Sequence, residues 1–137
     1  MAIDFIRPAW AEIDLARIRH NIQVIRQQLR PQTKLMAVVK ANGYGHGAVQ
    51  VAKTAIECGV DWIGVAIVEE GMALRQAGIT CPILVLGASP VEQAPLLVAN
   101  NLTATLCTWD EAVALSKVAL ASSTVAHAHV KVDTGMG

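Results

Sequence analysis

Five short apolar runs constrain this chain more than anything else in it: KLMAVVK (34–40), WIGV (62–65), ILVL (83–86), LTATLC (102–107) and HAHVKV (127–132). Between them the apolar residues switch to helical spacing. Leu15, Ile18, Ile22, Ile25 and Leu29 make one stripe of a helix that Asp14 can cap. Residues 48–58 follow the same rule, with Val51, Ala52, Ala55 and Ile56 inward and Gly59 as the stop. A helix over 68–77 is stopped by Gly78, and one over 90–100 carries Pro95 in its first turn or two. Thr108 and Glu111 form a capping box for a helix running to about Ala121. Strands this short and apolar, each followed by an amphipathic helix, must be parallel and covered by helices.

Such a chain builds either an open doubly wound sheet or part of a (β/α)8 barrel. A dinucleotide-binding sheet normally carries G-x-G-x-x-G after its first strand. The segment after Lys40 reads ANGYGHG, which lacks that spacing. The expectation is therefore a TIM-type barrel. A complete barrel takes about 250 residues, and the 137 residues here suffice for roughly its first half. No linker, low-complexity tract or charge block divides residues 1–137. They read as the N-terminal portion of a barrel domain, a fragment of a longer protein whose first and last strands have open edges. A self-sufficient five-stranded domain is the alternative.

Composition narrows the function classes. Apolar residues are 53% of the chain and charged ones 16%, against a usual quarter. No apolar run reaches the 18 or so residues that cross a bilayer, which implies a soluble protein with much interior. A net charge of zero, with no basic block, argues against nucleic acid and anionic membranes as partners. Cys58, Cys81 and Cys107 are widely spaced, with no C-x-x-C. They read as reduced core thiols rather than metal ligands. The N-terminus MAIDFIRPAW has no signal pattern, so a cytoplasmic location is expected.

The run VVKANGYGHG (38–47) holds the chemistry. Lys40 ends a strand, and the carboxyl ends of barrel strands are where catalytic groups sit. Partial shielding there lowers an amine's pKa and makes it a nucleophile toward an aldehyde. Tyr44 follows in a loop whose glycines, Gly43, Gly45 and Gly47, let backbone N–H groups approach an anion. An amine, a phenol and a glycine-rich turn are parts for holding a phosphorylated aldehyde such as pyridoxal phosphate. A plain snorkelling lysine before a loop is the competing interpretation.

VVKANGYGHG also closely resembles the cofactor-lysine motif of bacterial alanine racemases, pyridoxal-phosphate enzymes with a (β/α)8 barrel and a C-terminal β-domain. RPAWAEIDLARIRHNI, GVAIVEEGMALRQAGI, PILVLG and HVKVDTGMG extend the resemblance over the whole chain. It implies a homodimeric isomerase that interconverts L- and D-alanine and supplies D-alanine for peptidoglycan. Lys40 would form the internal aldimine and then act as acid or base on one face of the substrate Cα. Tyr44 would contact the cofactor phosphate, and Val38 and Leu86 would line the pocket. Lys131 matches a lysine that in many members carries a carbamate; its plain reading is an interior lysine paired with Asp133 or another acid. His46, His127 and His129 stay unassigned as structural histidines.

Racemisation wants one proton-transferring group on each face of a planar carbanion. The family's second group is a tyrosine of the partner subunit's C-terminal domain, which no residue here replaces, so the chain alone is expected not to racemise. Related decarboxylases read VKCN where this chain has VKAN, and broad-specificity racemases tend to have aspartate at the place of Asn42. A serine-preferring relative, a non-catalytic pyridoxal-phosphate binder, and a half that works only with a complementary fragment are the rival readings.

Overall fold

The computed structural model describes residues 9–135. Residues 7–8 and 136–137 of the quoted motifs, and residues 1–8 of the N-terminal segment read for a signal, lie outside the described residues.

Strands β1 (Met36–Val38), β2 (Trp62–Val65), β3 (Ile83–Ala88), β4 (Thr103–Leu106) and β5 (Ala128–Val130) form one sheet. Every neighbouring pair is parallel, and the order is β1-β2-β3-β4-β5. This order decides between the two candidate architectures. A doubly wound sheet adds strands on both sides of its first strand. Here each strand adds on the same side as the last, which is how a barrel wall grows.

The intervening helices are α1 (Leu15–Gln28), a short left-handed turn α2 (Lys40–Tyr44), α3 (Ala48–Glu57), α4 (Val68–Gln76), α5 (Ala94–Ala99) and α6 (Trp109–Ala121). They cover the convex side of the sheet. Ile63, Val65, Ile83, Val85 and Ala104 point there and meet Ala52, Ala55, Val68, Leu74, Leu97 and Leu115, all buried in one cluster. Each large aliphatic side chain removed from water contributes about 1.5–3 kcal/mol. The alternate residues, among them Val38, Trp62, Gly64 and Leu86, face the concave side. A Cβ added at Gly64 would lie 3.0 Å from Met36 Sδ, 3.2 Å from Val38 Cγ2 and 3.4 Å from Leu86 Cδ1.

The predicted caps form. Asp14 Oδ1 accepts from the N–H groups of Ala16 (2.9 Å) and Arg17 (3.3 Å). Thr108 and Glu111 close a capping box around the start of α6. Other expectations need correction. The first strand stops at Val38, because the backbone turns left-handed soon after Val39. The helix expected over 90–100 is a 3-10 turn, Val91–Gln93, followed by α5, with Pro95 in its first turn. The last strand ends at Val130, so Lys131 lies just beyond it, exposed. α1 buries no residue fully, and Ile25 of its stripe is exposed. All three cysteines are free, but only Cys58 and Cys81 are half-buried, while Cys107 is exposed. No helix among the described residues is long and apolar enough to cross a membrane.

Candidate active site

β1 carries the candidate lysine to the carboxyl rim of the sheet. Val39 is buried and its N–H donates to the Gly64 carbonyl (2.8 Å), which ties the end of β1 to β2. Lys40 follows, half-buried.

The chain then makes a turn that most residues avoid. Ala41 (φ 50°), Asn42 (54°), Gly43 (65°) and Tyr44 (55°) all have left-handed backbone. For a residue with a Cβ this conformation costs roughly 1–2 kcal/mol, and Ala41 and Tyr44 have no side chain suited to it. Hydrogen bonds hold the turn. The Gly43 N–H donates to the Val39 carbonyl (2.7 Å), Gly45 to Ala41 (3.2 Å), His46 to Gly43 (3.0 Å) and Gly47 to Asn42 (2.9 Å). Asn42 Oδ1 accepts from the Ala48 N–H at the start of α3 (3.0 Å). Strain of this kind, held by its surroundings, collects at functional sites.

These bonds correct one expectation. The N–H groups of Gly43, Gly45 and Gly47 are engaged inside the loop, so they are not an open cradle for an anion. The glycines are needed for backbone shape: Gly43, Gly45 and Gly47 all have positive φ. His46 Nδ1 lies 3.0 Å from the Gly43 carbonyl and 3.1 Å from that of Tyr44. Both partners accept only, so this nitrogen carries the hydrogen, and His46 ties down the same turn.

The other predicted residues separate into two groups. Val38 and Leu86, each 38% exposed, lie on the concave face beside Gly64, at the end where Lys40 stands. Tyr44 follows Lys40 around the turn and is 60% exposed, its phenol available to a ligand. Lys131 is placed by β5 instead; its N–H donates to the Leu106 carbonyl (2.9 Å). Asp133, its expected partner, accepts from the Gly135 N–H (2.8 Å).

One rim residue escaped the sequence analysis. Glu70, in the first turn of α4, accepts from the Ala41 N–H through Oε1 (2.6 Å) and from the Ala66 N–H through Oε2 (2.8 Å). An acid in a first helical turn reads as an ordinary complement to the helix dipole, and nothing local signals a partner 29 residues away.

The residues present fit an aldehyde cofactor with a planar ring. They supply a primary amine at the rim, an apolar concave wall that Gly64 keeps shallow, and an exposed phenol. Among the described residues no three His, Cys, Asp or Glu side chains gather as metal ligands.

Known proteins agree with this geometry. The family profile described as alanine racemase, N-terminal domain, matches residues 13–137. The alanine racemase of Desulfovibrio desulfuricans is 48% identical over 134 residues, covering 98% of this chain and 36% of that protein. That of Symbiobacterium thermophilum is 49% identical over 137 residues, again 36% of its length. The solved alanine racemase of Clostridium difficile superposes with a TM-score of 0.92 at 41% identity, over 97% of this chain and 35% of its own. The chain thus spans about a third of the length of the relatives it matches. With its strand order, its lysine turn and its sequence all in agreement, this chain belongs to the alanine racemase N-terminal domain family.

Proposed function

We propose that residues 1–137 are the N-terminal, cofactor-holding portion of a (β/α)8 barrel in a homodimeric alanine racemase. The observation that carries the reading is the place of Lys40, half-buried at the carboxyl end of β1 and followed by a strained left-handed turn. Bound pyridoxal phosphate supplies an electron sink that lets the Cα proton of an amino acid leave.

The chain's own residues have simpler tasks. The Lys40 amine holds the cofactor and takes or returns a proton on one face of the alanine Cα. The Tyr44 hydroxyl would contact the phosphate. Val38 and Leu86 would line the cofactor pocket as an apolar wall. The resemblance adds Lys131 as a carbamate-bearing lysine.

The reading is tested by adding pyridoxal phosphate to the 137-residue chain, reducing with borohydride and locating the label by peptide mass. Label concentrated on Lys40 supports it. Label spread evenly over exposed lysines such as Lys53 overturns it. The chain alone should give background alanine racemisation, and turnover should appear when the remaining length of a relative is supplied. Robust turnover by the chain alone would contradict the two-group division of labour.

A further inference from the structure

Two helices of this chain present the same residue at the same place and use it differently. Glu111 is the third residue of α6, and its Oε2 accepts from the N–H groups of Cys107 (2.6 Å) and Thr108 (2.9 Å). Both belong to the segment leading into that helix, so the whole interaction is a local cap. Glu70 is the third residue of α4, and only one of its oxygens behaves in this way, accepting from Ala66. The other leaves its own βα unit and takes the N–H of Ala41, the residue directly after Lys40. Capping α4 needs only the first bond.

The second bond falls where the backbone is least able to hold itself. Ala41 opens the left-handed stretch with φ 50°. The bonds inside that stretch tie it to itself, to Val39 and to Ala48. Glu70 is what ties it to the next strand, because Ala66 directly follows β2. A carboxylate has the two acceptor oxygens this requires, and a charged acceptor makes the stronger kind of bond.

We propose that Glu70 is a positioning residue for Lys40: its carboxylate clamps the Ala41 and Ala66 N–H groups and so fixes the direction of the Lys40 side chain. The proposal rests on the role given to Lys40 above and adds to it the group that aims the amine. In this role Glu70 acts through the two backbone N–H groups and is not itself a catalytic residue.

Glu70→Gln separates aiming from capping. The amide keeps one acceptor oxygen for one N–H, but its NH2 then meets the other N–H, donor against donor. Two measurements on the folded 137-residue chain decide the matter. Amide hydrogen exchange without cofactor should quicken about tenfold at Ala41 in E70Q, with the β4 amides unchanged. The borohydride-fixed label at Lys40 should form some 10- to 100-fold more slowly, the range expected for a misplaced reacting group. Labelling of exposed Lys53 should not move. Glu70→Ala, which removes both acceptors, should slow Lys40 at least as much.

Unchanged exchange at Ala41, or unchanged labelling of Lys40 in a folded E70Q chain, overturns the proposal. A wild-type chain that takes no label at Lys40 overturns the functional reading itself, and with it the aiming role. The wild-type result therefore tells the two failures apart.

Discussion

Trp62 of β2 and His129 of β5 stand with ring centroids 5.3 Å apart and planes tilted by 49°. Two strands, β3 and β4, lie between theirs in the sheet. Side chains of non-adjacent strands meet only if the sheet curls; Trp62 alternates with buried Ile63, and His129 lies in register with Thr105 of β4. The contact therefore marks the curl of the sheet, which brings two concave-face side chains together across β3 and β4. Trp62→Ala should remove this contact and destabilise the chain by roughly 1–3 kcal/mol, less than for a fully buried tryptophan because Trp62 is only half-buried. Urea denaturation of W62A and W62F compares the two, and the phenylalanine should recover most of the loss.

Gly87 is more tightly constrained than Gly64. A Cβ there would lie 2.6 Å from the Ala66 carbonyl oxygen, a backbone atom, while the Gly87 N–H donates to that same oxygen at 3.1 Å. Gly87→Ala must push β3 away from the end of β2. A loss of about 2 kcal/mol or more is expected by thermal or urea denaturation, larger than for an ordinary exposed glycine.

Arg75 secures the opposite rim. Its guanidinium donates to the carbonyls of Asn100 (3.0 Å), Ile79 (2.7 Å), Cys81 (2.8 Å) and Asn101 (2.8 Å). Burial draws its pKa down from the ordinary arginine value. Lysine offers three donors on one atom and cannot span this fork. Arg75→Lys should cost about 2–3 kcal/mol in urea denaturation, nearly as much as Arg75→Met.

The neighbouring thiol provides a chemical readout. Burial pushes the Cys81 thiol up, and the nearby Arg75 charge partly pulls it back. Cys81 is therefore less ionised at pH 8 than an ordinary thiol and, being half-buried as well, should alkylate more slowly than exposed Cys107. R75M should slow Cys81 further. Mass spectrometry after a timed alkylation resolves both sites.

Asp14 sets an acid limit on α1. The Arg17 backbone N–H above all holds its carboxyl below the usual 3.8; desolvation opposes this, and the Ala16 N–H and the Arg17 side chain add to the lowering. A folded value below the unfolded one means the cap's stabilisation is complete above the ordinary carboxylate value. It is lost as pH falls through the lower, folded one. Asp14→Asn keeps an acceptor and should flatten this dependence, while Asp14→Ala should lower α1 helicity at neutral pH. Circular dichroism between pH 6 and pH 2 follows both.

If Tyr44 holds the phosphate, Tyr44→Phe should weaken pyridoxal phosphate binding about tenfold, the worth of one hydrogen bond to a charged group. Among the described residues its hydroxyl makes no hydrogen bond, and Tyr44 is mostly exposed, so stability should be unchanged.

Much of this protein was legible as a string because much of it is local. Helical stripes, the Thr108–Glu111 box, the Asp14 cap and five apolar runs each depend on residues a few positions apart, and such short-range preferences survive in the fold. Lys40 was legible as the candidate site for the same reason: amine, glycines and phenol lie in one run of ten. Tertiary structure decided the rest. Ala41 and Tyr44 have no preference for left-handed backbone and adopt it only within the bonds that surround the turn. Glu70 reaches Ala41 across 29 positions, and Trp62 reaches His129 across the curl of the sheet. The strand order that makes this a barrel wall is likewise a matter of which edges meet. Sequence patterns record the periodicity of each element, but the partner of a side chain on another element exists only once packing has brought the two within a few ångströms.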